Sequence, residues 1–401
     1  MKRLITFASI FLGTALLIFL LVFGLNREAM KLVFDNRDAI SEGSEWVEKT
    51  YSMSGLADYI SEHPDLVSVY SIEPGNPEAT IAWAEATPRP MGMLSSYLLL
   101  TAYASVMENG DIDPGEEISL DDVRRFQLPR IGDRKLEQAV RLAKAQPGSR
   151  DGGTIIQIDE GLSLLAKTKS PALFDYLLSR LGHAPLVRLY EQLGLQETDL
   201  PLPHSGILLT LAPSIQGIDA ATILSYWQEA GQRSFEIEAT ANSLAFAEGD
   251  NRESWIRILE ENRLGLDFQQ QKEILSLFPK TTAREIVRLL DQMLRGELVS
   301  PEVSERVREW LSYPVNESRL GQHFSSYGAL YDSRLGLLNG MDFGTNLNGD
   351  KRIQALFFDR IHLAVWFHMS SNLMHQEFLQ RIIRDKSLYQ TLKQATTDTT
   401  S

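Results

Sequence analysis

The chain has 401 residues, 43% of them hydrophobic and 23% charged, enough for one large domain or two small ones. Basic residues number 39 against 53 acidic ones, a formal charge of −14; with no long basic block, this argues against a nucleic-acid partner. Cysteine is absent, which excludes disulfides, thiolate metal sites and cysteine nucleophiles together.

The first predicted element lies at the N-terminus. After Lys2 and Arg3 comes ITFASIFLGTALLIFLLVFGL, residues 5–25, an uncharged run whose helical length of about 31 Å matches the hydrocarbon core of a bilayer. It is longer than the apolar stretch of a usual signal peptide, and no small-x-small cleavage site precedes Asn26 and Arg27. The expectation is a single-pass signal anchor with residues 1–4 cytoplasmic and the remainder on the far side; a cleaved signal peptide is the alternative. Residues 26–45 read as a polar juxtamembrane linker.

From Ser44 to Pro64, a serine in N-cap position and Trp46, Val47, Leu56, Tyr59 and Ile60 at helical intervals predict a helix. LVSVYSIEPGNPEATIAWAEA alternates on both sides of a Pro-Gly-Asn-Pro turn and predicts a β-hairpin, with Val67, Val69, Ile81 and Trp83 on buried faces. From Met93 to Met107 apolar residues lie almost all round a helix that Asn109-Gly110 ends, so this helix is expected at the centre.

Helical patterns follow over 133–146, 159–168, 170–182, 184–194, 219–231 and 282–297. Three strands are then expected, GLLNGMDFG, RIQALFFD and IHLAVWFHMS, before a last helix over 374–394 and a Thr-rich tail. The order predicts an α/β (α+β) fold in which N- and C-terminal strands form one antiparallel sheet and the helical block forms a second layer or subdomain. The domain is placed at 46–385, with 386–401 as a polar tail.

This layout, together with LADYISEHPDLVSVYSIE and RPMGMLSSYLLLTAYASVMENGDID, resembles the class A β-lactamase and penicillin-recognising serine hydrolase superfamily. In that family the second segment reads approximately Pro-Met-x-Ser-x-x-Lys, followed by an apolar helix and a glycine. Pro90, Met91 and Gly110 fall into place without a gap, which puts Met93 at the serine position and Ser96 at the lysine position. One helical turn between serine and lysine sets hydroxyl and amine on one face for acyl transfer. A thioether cannot attack an acyl carbon in that role, and a serine offers no base.

The family's Ser-Asp-Asn motif, counted back from Asp175, falls on Lys169, Ser170 and Pro171, or one residue earlier on Thr168, Lys169 and Ser170. Its Lys-Thr/Ser-Gly triplet falls on Leu330, Tyr331 and Asp332, or on Arg334, Leu335 and Gly336, which keeps a cation and a glycine. Glu197 and Asp199 occupy the loop where class A enzymes carry a deacylating glutamate, without a matching Glu-x-x-Asn. The resemblance therefore implies a β-lactamase/transpeptidase-like frame with degraded motifs: a pseudoenzyme acting as a binding or scaffold module in the bacterial cell envelope, anchored in the inner membrane with its domain facing the periplasm or the outside. It also implies a peptidoglycan-like or small-molecule ligand in the cleft, or an envelope protein partner if the cleft is filled in. The alternative is an active serine hydrolase using displaced residues, of which a swapped Ser96–Lys169 nucleophile and base is the specific form. An open pocket lined by Ser95, Ser96, Ser170 and Ser333 would favour ligand binding.

His362 and His368 lie six apart with His375 beyond, a spacing that predicts no shared metal. No Walker loop, dinucleotide fingerprint or zinc spacing occurs, so no cofactor is expected.

Overall fold

The computed structural model describes residues 36–145 and 154–398. The expected cytoplasmic N-terminus, the anchor at 5–25 and the linker up to residue 35 lie outside the described residues, as do the last three positions of the tail. No helix among the described residues is long and apolar enough to cross a membrane.

The sheet is built from both ends of the chain. Strands β1 (Val67–Glu73) and β2 (Asn76–Trp83) form the expected hairpin, turning at Gly75 with φ +82°. Four short strands follow in two pairs: β3 (Arg89–Pro90) with β6 (Lys280–Thr281), and β4 (Glu117–Ser119) with β5 (Ile155–Gln157). Strands β7 (Phe324–Arg334), β8 (Leu337–Asn346) and β9 (Lys351–Asp359) complete a five-stranded antiparallel sheet in the order β2-β1-β9-β8-β7.

Alternation gives this sheet two dry faces. Leu330, Met341, Ile353, Ala355 and Phe357 join the core of the helical block. Val67, Val69, Ile81, Trp83, Leu356 and Phe358 join the helices Met53–Glu62, Met374–Arg384 and Lys386–Asp398 on the other side. All four hairpin residues expected inside are buried. The Ser96–Glu108 helix is central as its composition predicts: Tyr97 through Ala104 are buried without interruption, and Gly110, at φ +77°, closes it by donating to the Met107 carbonyl.

Four expectations are corrected. The helix over 44–64 is two helices, Ser44–Lys49 and Met53–Glu62, because Ser52 supplies a second N-cap, accepting from Gly55 N at 3.0 Å. IHLAVWFHMS is a helix, Leu363–Ser371, and the third C-terminal strand is β7 instead. Arg360, at φ +51°, breaks the chain out of β9 before this segment, and an unbroken apolar run does not by itself distinguish strand from helix. Residues 386–398 are not a polar tail: Leu388, Tyr389 and Leu392 are buried in the second core. At the other end, Asn36 is buried and accepts from Phe268 N at 2.8 Å, so the chain is docked on the domain ten residues before the expected boundary.

Candidate functional site

The turn Gly92–Ser95 leads into the central helix and is fastened to the sheet from below. Asn339 on β8 donates to the carbonyls of Pro90 at 2.7 Å and Met91 at 3.1 Å, and Met91 N donates to Pro279 O at 2.8 Å. Gly92 has φ +54°, and a Cβ there would collide with Asp332 Oδ2. That carboxylate is close because it accepts the Met93 N–H at 2.9 Å. The first turn of the helix thus presents its donor to a side chain of the protein itself.

Asp332 reaches the turn because β7 alternates: Leu330, Asp332 and Arg334 share the face toward the helical block, while Tyr331 points away and meets Asp342. The other carboxylate oxygen of Asp332 lies 3.5 Å from Lys135 Nζ, on the helix Asp133–Lys144. Burial raises the Asp332 pKa, but Lys135, Arg334 and the Met93 N–H outweigh it and hold the carboxyl below its usual range. It is an anion in the folded protein at neutral pH.

Arg334 is less well matched. Its guanidinium stacks over Phe278 at 4.9 Å and one nitrogen is 3.4 Å from His204 Nδ1, while Nη1 is buried without a hydrogen-bond partner. Burial lowers its pKa, against the pull of Asp332 and Asp175, and a guanidinium stays charged. Burial, then the Arg334 charge, lowers His204 to about 3, so the ring is neutral. Asp175 holds this segment by accepting the backbone N–H groups of His204 at 2.6 Å and Ser205 at 2.7 Å. Met93, Lys135, Pro171, Phe278, Asp332, Ser333 and Arg334 line a cavity of about 220 Å³, whose remaining wall is largely apolar.

The expected site residues fall out unevenly around this cavity. At the end of β7 and into the following turn the lining runs from Asp332 to Leu335, straddling the two registers proposed for the third motif. Leu330 is core and Gly336, at φ +79°, makes the hairpin turn. Ser170 is fully buried and caps the helix Pro171–Leu181, accepting from Leu173 N. Ser95 donates to Gly92 O at 2.8 Å. Ser96 is fully buried, does not line the cavity, and its hydroxyl has no hydrogen-bond partner.

Lys169 takes the left-handed conformation, φ +53°, and its amine donates to Lys167 O at 3.1 Å and Tyr313 Oη at 3.4 Å. Burial lowers its pKa to about 8. No hydrogen bond joins the swapped pair: the amine donates to these partners and the Ser96 hydroxyl has none. Glu197 accepts from Thr282 Oγ1, and Asp199 accepts from Lys280 N at 2.8 Å, so both acids stitch their loop to its neighbour. Lys135 and His204 escaped the sequence reading. Lys135 sits beside the apolar stripe Leu136, Ala139, Val140 and Ala143 and has the pattern of a solvated helix position.

No family model matches the chain, and no curated protein matches its sequence. Among solved structures it is similar to a β-lactamase from Sphaerobacter thermophilus, at 14% identity over 86% of this chain and 98% of the other, TM-score 0.47. It is similar to the chromosome-encoded β-lactamase of Vibrio parahaemolyticus, at 10% identity over 84% and 99%, TM-score 0.49. It is also similar to PBP-A, at 11% identity over 82% and 96%, TM-score 0.43.

Proposed function

We propose that this chain is a catalytically degenerate serine hydrolase homologue of β-lactamase-like form, anchored in the inner membrane by residues 5–25. Its domain faces the periplasm or the outside and works as a binding or scaffold module of the bacterial envelope. One observation carries the loss of acyl transfer: the Met93 N–H is occupied by Asp332. In serine acyl transfer the backbone N–H at or next to the nucleophile stabilises the developing oxyanion. A second anion brought to within about 4 Å of the Asp332 carboxylate would meet repulsion on the order of 4 kcal/mol at an effective dielectric of 20. The position that lacks a nucleophile also lacks a free donor for the intermediate.

The cavity beside Arg334 supports ligand binding over a filled-in scaffold. A buried guanidinium nitrogen without a partner, in a largely apolar pocket, fits a small molecule with one anionic group and an apolar body. Labelling of the purified full chain with a fluorescent penicillin and with a fluorophosphonate tests the proposal. No covalent product is expected with either probe. Labelling that survives denaturing electrophoresis and disappears in Ser96→Ala would refute it and establish the alternative, an active hydrolase with displaced residues.

A further inference from the structure

A second and larger cavity, about 530 Å³, opens on a different side of the segment that carries His204. Leu200 to Pro203 form part of its wall, whereas His204, the next residue, turns its ring to Arg334. The facing wall is the helix Gln232–Glu248, which has two apolar stripes. Phe235, Ala239 and Phe246 are buried in the core of their own subdomain. Ile237, Ala241 and Leu244, spaced i, i+4 and i+7, face the cavity instead. Ile237 is 58% exposed and Leu244 39%, so this second stripe has no protein partner among the described residues.

Several polar groups in the wall are already committed, whereas Ser179 and His183 also line it. Arg233 pairs with Glu236 at 3.5 Å, Thr240 donates to Glu236 O at 2.8 Å, and Ser243 is bonded to Ser205 at 2.8 Å. Both oxygens of Asp175 are taken by backbone amides. The exposed Arg233 and its partner Glu236 balance each other's charge, which disfavours an ionic ligand. A peptide would bring N–H and C=O groups that these walls leave unpaired at a cost of about 1–3 kcal/mol each. What the pocket offers is hydrocarbon surface in a volume typical of small-molecule sites.

We infer that this pocket binds an uncharged, hydrocarbon-rich amphiphile through its alkyl chain, held between Leu178, Leu186 and the Ile237–Leu244 stripe. The site is separate from the cleft of the proposed function and does not depend on it.

The test uses the full chain in amphipol and a long-chain alcohol carrying a diazirine, with the photoproducts mapped by mass spectrometry. Label is expected in the peptides holding Leu178–Leu186 or Ile237–Leu244. Excess hexadecanol should suppress it and excess palmitate should not. Ala241→Trp, which fills the pocket, and Leu244→Asp, at a partly exposed position that folding tolerates, should each reduce it at least about tenfold. Label confined to residues 5–25, or pocket label unchanged in both variants, would overturn the site. Equal competition by palmitate would overturn the uncharged ligand. A dimer in the wild type that Leu244→Asp dissociates would assign the stripe to a second copy of the chain instead.

Discussion

Removing the Asp332 carboxylate separates a structural cap from an incidental contact. In Asp332→Ala the Met93 N–H loses a charge-assisted hydrogen bond at a buried position, a loss of about 1.5–3 kcal/mol. Arg334 loses its nearest anion on the same strand face, while Lys135, whose side chain is 35% exposed, relaxes into water and adds little. The sum is a destabilisation of about 2–3 kcal/mol, or roughly 4–6 °C at about 2 °C per kcal/mol for a domain of this size. Because the folded pKa of Asp332 is depressed below the unfolded value of about 3.9, its contribution is complete above that value. It is lost only as pH falls through the folded pKa, so the difference between wild type and variant should be constant from pH 5 to 8. The vacated position is an anion site between an amide and two cations, and acetate at about tenfold over its Kd should restore about 1.4 kcal/mol to Asp332→Ala and nothing to the wild type. Thermal melts in chloride and in acetate at equal ionic strength measure both effects. A variant as stable as the wild type, with no acetate dependence, would refute the assignment of Asp332 as the occupant of the Met93 N–H.

Gly92→Ala forces a side chain into a left-handed residue and against Asp332; a loss of about 2–4 kcal/mol is expected in urea denaturation, and Asp332→Gly in the same chain should recover part of it. Ser96→Ala removes a buried hydroxyl without a partner, so its melting temperature should equal or exceed that of the wild type, by up to about 1 kcal/mol of stability. His375 is fully buried with both ring nitrogens unpaired, and burial lowers its pKa to about 4. Its neutral form therefore supports the fold above the unfolded value of about 6.5, and that support is lost as pH falls toward 4. Urea titrations at pH 7 and pH 4.5 should show His375→Leu narrowing the acid loss by on the order of 2–3 kcal/mol.

The parts of the fold that were legible are those whose signal is local. The β1–β2 hairpin has apolar–polar alternation about a Pro-Gly turn, and the central helix has apolar residues on every side and a glycine stop. IHLAVWFHMS failed because Leu363, Val365 and Met369 are buried within a run that lacks polar punctuation, leaving its period ambiguous. The site was less legible than the fold because it joins six distant segments, around Met93, Lys135, Pro171, His204, Phe278 and Asp332. Asp332 could be named as one position of a degraded triplet, but not as the partner of a backbone amide 239 residues away. Lys135 and His204 carry no local mark of function at all. The register of the third motif was undecidable by counting because only strand alternation, fixed by pairing with β8, sets which side chains face the turn.

The substitutions around the cleft are mutually consistent in physical terms. A working acyl-transfer site keeps unsatisfied groups on purpose, a free donor for the oxyanion and a base held away from its preferred ionisation, and gives up stability to do so. Here the donor is satisfied by Asp332, that carboxylate is balanced by Lys135, and Met93 offers an apolar side chain to the cavity. Restoring a nucleophile alone, as in Met93→Ser, would leave the N–H still bonded to a carboxylate that repels the intermediate. Arg334 is half-buried, but its Nη1 is fully buried and unpaired, as are the Ser96 hydroxyl and His204 Nε2. Such a group costs about 1–3 kcal/mol unless something outside the chain meets it, and that cost is the physical ground for proposing a ligand in the cleft.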